Sequence, residues 1–110
     1  MNQGDVYWCT FREPDKKRPA VILTRTPAIS FLSAVSVAPL TRTVRDAPSF
    51  VYLDEEDGVP AESVINLDAI QTLDKSKFGG YITTLSPERM LEVRQAISFA
   101  FGFDALDDPQ

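Results

Sequence analysis

Short apolar and β-branched runs, broken by polar stretches that carry proline or glycine, fill the first three quarters of this chain; the last quarter changes to helical spacing. Val6-Tyr7-Trp8-Cys9-Thr10-Phe11 follows the Gly4-Asp5 turn signal and predicts a first strand. The polar string from Arg12 to Arg18, with Pro14 inside it, predicts a surface connection beside a binding site. Pro19 is expected to open a second strand, whose run Ala20-Val21-Ile22-Leu23-Thr24 must be covered on both faces before Arg25-Thr26-Pro27 ends it. From Phe31 to Leu40, valines at 35 and 37 alternate with small residues at 34, 36 and 38, the period of a half-buried strand, and Pro39 marks an end or a bulge. Further strands are expected at Phe50 to Leu53, Ser63 to Leu67, Ala69 to Leu73 and Tyr81 to Thr84, with Gly58-Val59-Pro60 as a turn.

Ser86-Pro87-Glu88 reads as a helix start: a hydroxyl cap, a proline in the first turn and an acid near the positive end of the dipole. Met90, Val93, Ile97 and Phe101 recur at helical spacing and predict one core-facing stripe. A lone amphipathic helix after several strands must cover the sheet, so the fold is expected to be mainly β with a C-terminal helix: a small, strongly curved, mostly antiparallel sheet. With 110 residues, 44% of them hydrophobic, the chain has room for one core. Residues 1–103 are assigned to a single domain and 104–110 to an acidic, flexible tail.

No run approaches the roughly 18 apolar residues of a membrane span, and the N-terminus lacks a basic and apolar leader pattern, so a cytoplasmic protein without membrane contact is expected. Cys9 is the only cysteine and reads as a small buried side chain. The absence of histidine excludes Ser-His-Asp and Cys-His pairs and the paired histidines of many nucleases. A net charge of −5 argues against a surface that is basic throughout. The charges are segregated, however: Arg12, Lys16, Lys17, Arg18 and Arg25 come early and Arg42 and Arg45 near the middle, whereas acids gather at Asp54-Glu55-Glu56-Asp57 and in the tail. That separation is consistent with one anion-binding face and equally with two solvated loops.

With histidine missing, the polar groups to weigh stand at strand ends: Arg18, Arg25, Thr41, Arg42, Ser63, Asn66 and Asp68, with Glu13 in the first connection. A guanidinium fork at Arg18 suits a phosphate group and can stabilise charge developing on a phosphorane. A Thr41 hydroxyl can donate to a phosphate oxygen or cap its own turn. Asp54 to Asp57 lacks the alternating ligands and glycine of a calcium loop and reads as a solvated turn, and no zinc spacing or glycine-rich phosphate loop occurs.

Gly4-Asp5-Val6-Tyr7-Trp8, Arg18-Pro19-Ala20-Val21-Ile22-Leu23, Ala38-Pro39-Leu40-Thr41 and Ser63-Val64-Ile65-Asn66-Leu67-Asp68, in that order, resemble the successive motifs of MazF/PemK toxins over residues 3 to 103. The resemblance implies a homodimer of curved, partly open barrels of the kind shared with CcdB. It implies a toxin of a type II toxin-antitoxin system that cuts single-stranded RNA at a short sequence without metal or cofactor. The ribose 2′-OH attacks, leaving a 2′,3′-cyclic phosphate and a 5′-OH, and the partner is a cognate antitoxin with an acidic flexible segment. The family arginine falls on Arg18 and the family threonine on Thr41, the expected catalytic pair. Asp68, Glu13 and Asn66 are candidates for base or substrate binding, and Lys16, Lys17, Arg25 and Arg42 for holding RNA. Two departures stand out: Asn66 replaces an arginine that some members use, and the first connection is shorter than in many members. A CcdB-like gyrase poison, faintly echoed by Phe101-Gly102-Phe103, and a non-catalytic RNA- or antitoxin-binding member are the rival readings.

Overall fold

The computed structural model of the chain describes residues 1–11 and 17–104; the connection holding Glu13 and Lys16 and the tail from 105 onward lie outside the described residues. Seven strands form one antiparallel, unclosed sheet: β1 (Asp5–Thr10), β2 (Lys17–Ile22), β3 (Ala34–Thr41), β4 (Phe50–Leu53), β5 (Ser63–Asn66), β6 (Gln71–Asp74) and β7 (Phe78–Thr84). Their order is β4-β5-β3-β2-β1-β7, with β6 set beside β3. One turn of helix, α1 (Thr26–Ile29), follows β2, and the long helix α2 (Pro87–Ala100) closes the described fold.

β3 holds the sheet together because it pairs on both edges and changes partner on one of them. Against β2 it pairs Val37, Ala38 and Pro39 with Ile22, Val21 and Ala20. On its other edge, residues Ala34 to Val37 pair with β6, and Leu40 and Thr41 pair with β5. Pro39 falls in the interval between those two ladders, where a residue without an N–H is tolerated inside a central strand. The bend divides the core in two. One cluster joins Val6, Val21, Leu40, Leu53 and Ile65 to Val93 and Ala96 of α2, and the other joins Cys9, Ala20, Ile22, Val35 and Val37 to Ile29 of α1 and Leu73 of β6. This two-sided burial is why β2 reads as an uninterrupted apolar run.

Several boundaries differ from the sequence reading. β2 starts at Lys17 rather than Pro19, since Lys17 and Arg18 already pair with Thr10 and Cys9. Charged residues at the open end of a sheet reach water while their backbone stays in the ladder, so the sequence resembles a loop there. β3 begins at Ala34, after α1 and a turn that leaves Phe31 81% exposed. β7 includes Gly79 and Gly80, and its pairing with β1 slips register twice on the way. The Ser86 cap is present, Oγ accepting from the Arg89 N–H at 3.1 Å. Phe101, expected in the core stripe, lies just past α2 and is 56% exposed; Ala96 beside Val93 takes that place because the helix ends before the stripe reaches Phe101.

The acidic string forms a 3-10 turn over Glu55–Asp57 in which the acids cap backbone: Asp54 Oδ1 accepts from Glu56 N, and Asp57 Oδ2 accepts from Asp54 N. Gly58 leaves the turn at φ +89°, where a β-carbon would also stand 2.8 Å from Thr83 Cβ, so glycine sets the path of the chain towards Pro60 and Ala61. Arg89 of α2 bonds Asp57 at 3.0 Å and Glu92 at 3.2 Å, tying the turn to the helix. Burial of Asp57 opposes its ionisation, but the Arg89 hydrogen bond and charge, with the Asp54 N–H, outweigh it and hold the carboxyl below its usual range.

Because the folded pKa of Asp57 is depressed, the charged form favours folding. That contribution is complete above the unfolded carboxylate pKa of about 4 and is lost as pH falls through the lower folded value. Arg89→Ala is expected to lower unfolding free energy by about 1–2 kcal/mol at pH 7 and by less at pH 2, as measured by denaturant titration at the two pH values.

Candidate active-site groove

The β2–β3 register brings the two principal candidates together. Val21 stands opposite Ala38 and Ala20 opposite Pro39, where the pairing ends; the same register carried two residues further faces Arg18 with Thr41, and both line one groove. On its other side Arg18 pairs with Cys9 of β1, so its backbone is held within the sheet. Thr41 Oγ1 accepts from the Thr43 N–H at 3.3 Å, which leaves the hydroxyl proton available to a further acceptor.

An open groove of about 500 Å³ lies over this end of the sheet, lined by Trp8, Lys17, Arg18, Pro19, Leu40, Thr41, Arg42, Thr43, Pro60, Ala61 and Ser63. Strand alternation turns Arg18 and Thr41 to one face and Lys17, Pro19 and Leu40 to the other, so the groove wraps the sheet end and collects side chains from both. Among the described lining residues three are cations and none is an acid, on a chain of net charge −5. Segregated charge thus becomes a local anion site, with Thr41 and Thr43 adding hydroxyls.

The remaining candidates lie elsewhere. Arg25 is exposed beyond the far end of β2 and precedes α1, so it does not join the groove. Asn66 ends β5 away from Ser63, its Oδ1 accepting from the Asp68 N–H at 2.9 Å; Asp68 also accepts from Ser49 Oγ at 2.6 Å. This pair braces the β5–β6 turn outside the groove lining. Glu13 and Lys16 fall outside the described residues. Burial pushes the Cys9 thiol up to about 12, which makes it inert as a nucleophile despite its place beside Arg18. Among the described residues no cluster of acids, cysteines or histidines could hold a metal ion, and no helix is long and apolar enough to cross a membrane.

Trp8, Thr43, Pro60 and Ala61 were not singled out by sequence reasoning. Trp8 looked like one more strand aromatic, although alternation with the half-buried Tyr7 was a usable signal that it faces the other way. Pro60 and Ala61 looked like an ordinary turn, and only the fold carries that turn to the groove.

Comparison with known proteins gives the same answer from several directions. The family described as PemK-like, MazF-like toxin of type II toxin-antitoxin system matches residues 2–101. A Mycobacterium tuberculosis protein named "Probable endoribonuclease MazF2" is 37% identical over 103 residues, 93% of this chain and 99% of the relative. The structure described as Mycobacterium tuberculosis toxin MazF-mt6 superposes with a TM-score of 0.82 at 33% identity, covering 89% of this chain and 96% of that one. A mycobacterial endoribonuclease solved in complex with its cognate antitoxin superposes with a TM-score of 0.83 at 26% identity, covering 93% and 95%. With a family match spanning nearly all of the sequence and a sheet that superposes on those toxins, this chain belongs to the PemK-like, MazF-like toxins of type II toxin-antitoxin systems.

Proposed function

We propose that this toxin is an endoribonuclease that cuts single-stranded RNA by attack of a ribose 2′-OH on the adjacent phosphorus. The observation that carries the reading is that Arg18 of β2 and Thr41 of β3 line one groove whose described lining holds cations and hydroxyls but no acid, on an acidic protein. The 2′-oxygen bonds to phosphorus as the P–O5′ bond breaks, giving a 2′,3′-cyclic phosphate and a 5′-OH. Arg18 neutralises the charge that builds on the non-bridging oxygens, and the Thr41 hydroxyl donates to one of them. A permanently charged guanidinium is a poor base, so the 2′-OH proton goes elsewhere. We assign it to Glu13, five residues before Arg18 in the sequence, in preference to Asp68, which the Ser49 hydroxyl already occupies at the β5–β6 turn. Lys17 and Arg42 hold flanking phosphates.

The named activity of the relatives supports this reading, and the relative solved with its antitoxin supports a protein partner for this chain as well. A cognate antitoxin with an acidic flexible segment fits the cationic groove, and a homodimer places two such grooves in one particle.

The test is cleavage of a long unstructured RNA in excess EDTA, with the new ends mapped. Wild type is expected to leave 5′-OH ends, Arg18→Ala to lose about 10²–10³-fold in rate, and a 2′-deoxy sugar at the cut site to block cleavage. Thr41→Ser is expected to keep most of the activity that Thr41→Val loses. Clean wild-type protein that cuts no RNA, or Arg18→Ala cutting as fast as wild type, would contradict the proposal. Lys17→Ala and Arg42→Ala are each expected to flatten the plot of log affinity against log salt by about 0.7, measured with uncleavable RNA.

A further inference from the structure

The outermost strand of the sheet has no part in the cationic groove. β4 ends the strand order and, among the described residues, pairs only with β5. The Leu67 N–H donates to the Ser49 carbonyl at 3.0 Å, so Ser49 turns its backbone towards β5. Alternation along an antiparallel strand then turns the N–H and C=O of Tyr52 to the open edge. A cleft of about 390 Å³ lies between β4 and α2, with Pro48, Phe50 and Tyr52 on one wall and Ala96 and Phe99 on the other. Tyr52 is 40% and Phe99 46% exposed, so aromatic surface lies open along it.

The rim of this cleft is acidic. Glu92 and Asp104 line it, and Tyr52 also lines an adjoining cleft with Asp54, Glu55, Glu56 and Glu62, its hydroxyl donating to Glu62 at 2.7 Å. Among the described lining residues of the two clefts none is a cation. An open strand edge beside a helix accepts an extended peptide: ladder bonds give affinity, and alternate side chains fall into the cleft. We propose that the β4 edge is a docking site for an extended segment of a partner protein, in which apolar residues alternate with lysine or arginine, added to the sheet as a further strand. Charge selects that occupant. RNA would set its phosphates against the acids, and a second copy docked edge to edge would bring two sets of acids together. The chain's own residues 105–110 carry Asp107 and Asp108, which the same rim repels. The two clefts share no lining residue with the Arg18–Thr41 groove, so the site stands apart from the RNA-cutting reading.

The probe is a short peptide alternating valine with lysine, labelled for fluorescence anisotropy. Beside it go the same peptide with every backbone amide N-methylated, a valine–glutamate counterpart, and a peptide of residues 104–110. The parent peptide is expected to bind saturably and to slow hydrogen exchange at the Tyr52 amide. The N-methylated form keeps the charge but cannot donate to β4, and is expected to bind about 10-fold or more weakly. Replacing the exposed pair by Glu55→Lys with Glu56→Lys is expected to weaken the parent peptide by about 10-fold. The N-methyl comparison uses wild-type protein throughout, so it tests the edge without relying on a variant. No saturable binding, equal binding of parent and N-methylated peptides, unchanged exchange at Tyr52, or tighter binding of either acidic peptide would overturn the site. Dissociation of the protein into smaller particles on adding the parent peptide would also overturn it, by marking the edge as a contact between copies.

Discussion

The pairing of β3 on both of its edges is the constraint from which the rest follows. One strand must pair with β2 over Val37 to Pro39 while serving β6 and then β5 on the other side, and Pro39 stands where the second edge changes hands. That arrangement fixes register, because a slip of one residue would turn every buried valine of β3 to the wrong face. It also fixes where β3 ends relative to β2. Arg18 and Thr41 consequently stand two residues beyond the end of the ladder that builds the core, on the two strands it joins, and both line the same groove.

Stability and function are therefore laid out along the same strands in different segments. The middle of β2 and β3 is small and aliphatic and is covered by α2 on one face and α1 with β6 on the other. The first residues of β2, Lys17 and Arg18, and the end of β3 from Thr41 to Thr43 emerge from that cover and carry the cations and hydroxyls. Acids are kept elsewhere: Asp54 and Asp57 cap a turn, Asp57 pairs with Arg89, Asp5 accepts from Thr84 Oγ1 and the Asn2 N–H, and Asp68 accepts from Ser49. Each is engaged with local donors, and among the described residues the groove lining carries Lys17, Arg18 and Arg42 as its charged groups despite the negative net charge.

Most of the architecture was legible because the periods were clean. The alternation at Val35 and Val37, the β-branched run at 20–22 and the Ser86-Pro87 helix start each have one physical meaning. What was not legible depended on neighbours far away in sequence. Arg18 reads as loop until its pairing with Cys9 shows it in a ladder, and the strand expected from Tyr81 starts at Phe78 because β1 accommodates Gly79 and Gly80 in a slipped pairing. α1 is a single turn, too short to leave a period, and Phe101 fits the helical period but lies beyond the helix end. Of the site, Arg18, Thr41, Lys17 and Arg42 were visible as polar groups at strand ends, whereas Trp8, Pro60 and Ala61 acquire a role only when β1 and the loop before β5 converge on the same groove. Arg25 had the same sequence credentials as Arg42; it is excluded only because it leaves the opposite end of β2.

The central claim is that Arg18 and Thr41 act on one phosphate as a unit set by the β2–β3 register, and a double-mutant cycle on RNA cleavage tests it most directly. Single-turnover rates would be measured for wild type, Arg18→Ala, Thr41→Val and the double variant. The account predicts strong coupling, with the double variant losing little more activity than Arg18→Ala alone, because the hydroxyl has no positioned phosphate to serve once the guanidinium is gone. Losses that simply multiply would show two independent contributions and contradict it.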